Sequence, residues 1–120
     1  MHSVCELYSF RRAASAAGMT ESEIDELVEF LAREPMCGDE MAGTGGCRKL
    51  RIAGRGKGKS GGYRVITFYS GDFLPVFLVT VFGKGEKANL TKGECNELRL
   101  LSKRLVQEYR SHVVESGEAP

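Results

Sequence analysis

Cys47-Arg48-Lys49-Leu50-Arg51-Ile52-Ala53, Gly54-Arg55-Gly56-Lys57-Gly58-Lys59-Ser60-Gly61-Gly62 and Tyr63-Arg64-Val65-Ile66-Thr67-Phe68-Tyr69 form one continuous stretch on which the reading of the fold turns. In its first part a period of two puts Lys49, Arg51 and Ala53 on one face and Arg48, Leu50 and Ile52 on the other, the pattern of a strand. The middle part has five Gly in nine residues and reads as a loop. Tyr63–Tyr69 is nearly all apolar or β-branched, so it reads as a second strand. Ser70-Gly71-Asp72 is a turn, and Leu74–Phe82 is a third, buried strand in which Pro75 is tolerable only near the start.

Helical signals lie on either side. Upstream, Thr20 and Glu23 form a capping box, with Met19 placed to pack on Ile24. Ile24, Leu27, Val28 and Leu31 then give one apolar face, and Pro35 stops the helix. Arg11–Ala17 is a short Ala-rich helix ended by Gly18, Val4–Phe10 alternates weakly as a first strand, and Cys37–Gly46 is a Gly-rich loop. Downstream, Thr91 and Glu94 repeat the capping box, and a helix runs to about Val114 with Cys95, Leu98, Leu101 and Leu105 inward. Ser116–Pro120 reads as a frayed tail. The expectation is a single α+β domain over residues 1–120. It has an antiparallel twisted sheet of about four strands, two N-terminal helices and one C-terminal helix, with the helices on one side of the sheet.

The 120 residues, 42% hydrophobic and 28% charged, are ordinary for a soluble domain able to bury a core. The formal net charge of +1 hides a strong asymmetry. Arg48 to Arg64 holds seven of the 17 Lys and Arg and none of the 16 Asp and Glu, so the remainder is acidic. A mildly acidic body with one concentrated cationic segment points to a polyanionic partner. No apolar run approaches the length of a membrane span, and Arg11-Arg12 is not followed by the apolar segment of an export signal, so a cytoplasmic setting is expected. Cys5, Cys37, Cys47 and Cys95 show no CxxC spacing and read as reduced thiols. Ala53 to Ser60 matches the relaxed phosphate-loop pattern, but Gly61-Gly62 and a strand follow where that motif needs a helix. A nucleotide cofactor is therefore not expected.

His2 and His112 lie at the chain ends, and no carboxylate cluster suited to a metal accompanies the basic strand. RNA cleavage, if it is the chemistry, rests on Lys, Arg and Tyr. Attack of a ribose 2′-hydroxyl on the adjacent phosphate develops charge that guanidinium and ammonium groups stabilise. A lysine crowded by other cations can serve as general base. Such a site gains from a partner that holds the RNA in reactive geometry.

Several blocks resemble the HigB branch of the RelE/ParE toxin superfamily. They are Gly43-Thr44-Gly45-Gly46-Cys47-Arg48-Lys49-Leu50-Arg51, Gly56-Lys57-Gly58-Lys59-Ser60-Gly61-Gly62-Tyr63-Arg64-Val65-Ile66, Gly83-Lys84-Gly85-Glu86-Lys87 and Asn89-Leu90-Thr91. Leu31-Ala32-Arg33-Glu34-Pro35 and Gly38-Asp39-Glu40 are similar to that branch as well, so the likeness runs from about Thr20 to Leu98. The resemblance implies a RelE-like fold and a type II toxin that cleaves mRNA in the decoding site of the ribosome without metal or cofactor. It also implies silencing by a helix-turn-helix antitoxin. By position it assigns Lys49, Arg51, Arg64 and Lys84 to catalysis, and Arg48, Arg55, Lys57, Lys59, Tyr63 and Lys87 to RNA binding, with Tyr63 either stacking on a base or packing in the sheet. Gly85 stands where RelE-type toxins carry a catalytic arginine, and Asn89-Leu90-Thr91 offers no counterpart of their C-terminal tyrosine, which leaves Lys84 or Lys87 as substitutes. Two other functions fit the same fold. One is a ParE-type gyrase inhibitor, and the other an RNA- or ribosome-binding module without catalysis.

Overall fold

The structure is a computed structural model and describes residues 1–53, 62–83 and 89–113. Its elements are β1 (Val4–Glu6), α1 (Tyr8–Ala17), α2 (Glu21–Arg33), β2 (Asp39–Glu40), β3 (Cys47–Ala53), β4 (Gly62–Phe68), β5 (Val76–Gly83) and α3 (Lys92–Val113). They build an α+β domain around one sheet in the order β1-β5-β4-β3-β2. The tail at 116–120 lies outside the described residues.

The class agrees with the expectation, but three details of the architecture differ from it. The sheet has five strands and is mixed, because β1 pairs parallel to β5 (Val4 with Val76, Glu6 with Leu78). The segment expected as loop contributes β2, whose two residues pair with Arg48 and Lys49. Helices cover both faces of the sheet: α1 and α2 on one, α3 on the other. The physical reason was visible in the apolar runs of β4 and β5. A strand whose side chains are apolar in both directions needs cover on both sides. Val65, Val76, Leu78 and Val81 accordingly pack with Phe10, Ala14, Ile24, Leu27 and Leu31, while Ile66, Phe68, Phe77 and Val79 face Leu98, Leu101, Leu105, Val106 and Tyr109.

Local signals held where they were strongest. The Thr20 hydroxyl accepts from the Glu23 amide at 3.1 Å and the Glu23 carboxylate accepts from the Thr20 amide at 2.9 Å, with Met19 and Ile24 buried in one cluster. The same reciprocal pair forms between Thr91 and Glu94 at the start of α3. The N-terminal reading is corrected: the strand stops at Glu6 and the helix begins at Tyr8, three residues earlier than Arg11. Phe10 and Ala14, four apart, are both fully enclosed, and burying that pair against β5 outweighs the weak alternation of the sequence.

One irregularity matters for everything on the α3 face. Between Ile66 and Thr67 the β4–β5 register shifts: Ile66 pairs with Thr80, but Thr67 pairs with Leu78. Val79 is therefore an extra residue, a β-bulge, and its carbonyl accepts from the Ser9 hydroxyl of α1 at 2.6 Å. Beside it, Thr67 is fully buried and its hydroxyl finds no partner among the described residues. An unpartnered buried hydroxyl costs about 1–3 kcal/mol on protein mutational scales. Thr67→Val keeps the shape without the hydroxyl and should leave the thermal midpoint equal or higher, whereas Thr67→Ala should lower it. A clear drop for the valine variant in thermal denaturation would show that the hydroxyl is satisfied after all.

A candidate nucleic-acid interface

On β3 the side chains of Cys47, Lys49 and Arg51 point to the α3 face, and on β4 those of Arg64, Ile66 and Phe68 do so. The antiparallel register sets Arg51 directly across from Arg64 and Lys49 across from Ile66. Neighbouring strands are about 4.8 Å apart, so the three cations lie within one short patch. Arg51 is exposed, and Lys49 and Arg64 are half-buried.

α3 packs on the same face of the sheet. The Ser102 hydroxyl lies 3.4 Å from the Cys47 sulfur and donates to the Thr44 carbonyl at 3.2 Å, and the Tyr109 ring meets Phe77 edge to face. Those contacts dock the helix over Cys47, Phe68 and Phe77. At the outer edge, Asp39 pairs with Lys49 and brings a carboxylate to the same face. β2 reaches β3 so closely because residue 38 is Gly: with φ of +93°, a Cβ there would sit 2.7 Å from the Lys49 carbonyl oxygen. Asp39 thus stands across from Lys49 at this edge of the sheet, a neighbour that sequence reading left unassigned because two residues of strand give no periodic signal.

Two arginines opposed across a strand pair are unfavourable by roughly 0.2–1 kcal/mol against a neutral pair. Among the described residues Arg51 forms no ion pair. Two arginines set across from each other on neighbouring strands suit a surface that meets polyanions.

The other expected site residues distribute as follows. Arg48 points to the opposite face. Its guanidinium donates to the Gly38 carbonyl at 3.1 Å and lies 3.9 Å from Glu40, so it ties β2 to β3 and is not part of the patch. Tyr63 also faces away, enclosed with the α1–α2 core, and donates to the Glu23 carboxylate at 3.0 Å. Of the two roles weighed for Tyr63, packing is the one its position allows, because a ring 6% exposed has no face to offer a base. Arg55, Lys57, Lys59, Lys84 and Lys87 lie outside the described residues. Ala53 pairs with Gly62, so two antiparallel strands flank the phosphate-loop-like stretch and no helix follows it. Among the described residues no three His, Cys, Asp or Glu side chains are grouped to hold a metal ion. His2 is held far from the patch, its ring nitrogen 2.7 Å from the Leu74 carbonyl oxygen. All four cysteines are free, and burial pushes the Cys47 thiol up, which makes it a poor nucleophile.

The sequence matches the family described as the RelE toxin of the RelE/RelB toxin–antitoxin system over residues 4–117. The chain belongs to the RelE toxin family. It is accordingly a toxin of a toxin–antitoxin system, and the family implies an antitoxin partner. No helix among the described residues of this RelE toxin is long and apolar enough to cross a membrane.

Two outcomes follow from these electrostatics. Arg51→Gln relieves the opposition to Arg64 and should leave the melting temperature unchanged or raise it by a few degrees at low ionic strength, with the difference shrinking as salt is added. A loss of stability at low salt would contradict the repulsive pairing. Burial, and then the bond to Glu23, raise the Tyr63 phenol above its ordinary value of 10.0. The fold favours the neutral phenol, so this contribution is intact below about pH 10 and is lost as pH rises through the raised value. Melting curves across the alkaline range should show a shallower decline for Tyr63→Phe than for the parent.

Proposed function

We propose that this RelE toxin is a metal-independent endoribonuclease that cleaves mRNA in the decoding site of the ribosome, and that it belongs to the HigB branch, paired with a helix-turn-helix antitoxin in the cytoplasm. The observation that carries the reading is the opposition of Arg51 and Arg64 on an open face with Lys49 two residues along. It is a constellation suited to a phosphate whose charge grows during reaction.

In the reaction the 2′-oxygen forms a bond to phosphorus while the bond from phosphorus to the 5′-oxygen breaks. One proton leaves the 2′-hydroxyl and another reaches the departing 5′-oxygen, giving a cyclic phosphate and a free 5′-hydroxyl. Arg51 and Arg64 stabilise the phosphoryl oxygens as charge accumulates, and Lys49 beside Asp39 handles a proton. Lys84 keeps the catalytic role that the resemblance implies, and Arg55, Lys57, Lys59 and Lys87 the role of holding RNA. A site of this kind gains from a partner that holds the message in reactive geometry, which supports dependence on the ribosome.

Primer extension on a translated message after induction should reveal cuts within codons, absent when the purified protein meets the same RNA without ribosomes. Arg64→Ala should lower cleavage about 100- to 1000-fold, the scale of losing one charge-stabilising donor, with the melting temperature little changed. Ribosome binding with steep salt dependence but uncut message would leave a binding module; an Arg64→Ala variant that stays fully toxic would overturn the site.

A further inference from the structure

The β-bulge at Val79 decides which side chain of β5 joins the cationic patch. Up to Val79, odd-numbered residues of β5 face α3: Phe77 and Val79 belong to that cluster, and Val76 and Leu78 to the other. Without an extra residue Val81 would come next on the α3 face and Phe82 would point into the α1–α2 core. The bulge reverses the parity. Val81 packs in the α1–α2 core, while Phe82 lies on the α3 face, paired directly with Arg64. One row across three neighbouring strands therefore reads Arg51, Arg64, Phe82.

Phe82 is half-buried, packed on one side against the α3 cluster. A partly packed, partly accessible aromatic side chain in one row with two guanidinium groups is an arrangement by which proteins grip an unpaired nucleotide. The cations take the phosphate and the ring takes the base. Tyr63, the residue the sequence offered for this role, is enclosed on the opposite face.

We propose that Phe82 is a stacking platform for one unpaired base of the RNA, placed beside Arg64 by the Val79 bulge. The proposal rests on reading the patch as an RNA site, and it specifies the ligand as single-stranded RNA whose base beside the bound phosphate is splayed onto the ring. The platform accepts any base, because every base has a π-face. Ser9 of α1 acts as a positioning residue through its bond to the Val79 carbonyl.

The test measures binding of the full chain, at low salt, to a fluorescent 2′-O-methyl RNA oligomer and to an otherwise identical oligomer made abasic throughout. The parent should bind the base-bearing oligomer about 5- to 150-fold more tightly, the range that one base–aromatic stack supplies. Phe82→Leu, which retains an apolar contact to α3, should bring that ratio close to one while leaving abasic affinity unchanged. Phe82→Trp should preserve or increase the ratio, and it serves as the folded control if the leucine variant is unstable. Arg64→Ala should weaken both oligomers together. A parent ratio near one, or a ratio that survives Phe82→Leu, overturns the platform while the phosphate site stands. Failure of the parent to bind either oligomer overturns the RNA site, and the platform with it.

Discussion

The register of β4 against both of its neighbours is the constraint on which the other features of this molecule depend. Side chains of a strand alternate between faces, so a slip of one residue would exchange the contents of the two cores and send Arg64 into the α1–α2 layer. The register is held by burial. Val65 on one side and Ile66 and Phe68 on the other are almost wholly enclosed, and no alternative pairing satisfies both faces together. The apolar half of β4 thereby fixes the place of the charged half. Arg64 faces Arg51 because Ile66 and Phe68 two and four residues along must meet α3.

The α3 face depends on docking of the helix as well, through its contacts to Cys47 and Phe77. The loop before β3 takes part in that docking. Its Thr44 accepts from the Cys47 amide at 3.1 Å and donates to the Met41 carbonyl at 2.6 Å, and the Thr44 carbonyl receives the Ser102 hydroxyl. Gly46, with φ of +122°, passes the Phe68 ring where an added Cβ would come within 3.0 Å. Packing of the loop and docking of the helix are thus one arrangement.

Much of this was legible in the sequence, for reasons that differ by element. The start of α2 was readable because a capping box and an apolar stripe are local, and α3 announced itself in the same way. The separation of Lys49 and Arg51 from Arg48 was readable because alternation along β3 needs no knowledge of its partners. What could not be read was set by partners distant in the chain. A first strand was read at Val4–Phe10, but its three-residue length and its parallel pairing depend on the edge that β5 offers. β2 is shorter still. The bulge at Val79 leaves no mark in an apolar run, since Val-Thr-Val-Phe reads as continuous strand in either parity. That is why Tyr63 and not Phe82 drew notice as the aromatic of the patch. Tyr63 stands next to Arg64 in sequence, and neighbours in a strand point to opposite faces.

Charge closes the argument. Opposing Arg51 and Arg64 works against folding, yet only mildly, because Arg51 is exposed and water and salt screen it. The repulsion grows in importance once a ligand excludes water from the patch, and an anion bound there would offset it. An arrangement of this kind favours an anionic ligand, at a place where the bulge has put an apolar ring beside the charges. A protein of formal net charge +1 can in this way be selective for a polyanion, since the local opposition of two like charges, and not the total, sets the preference.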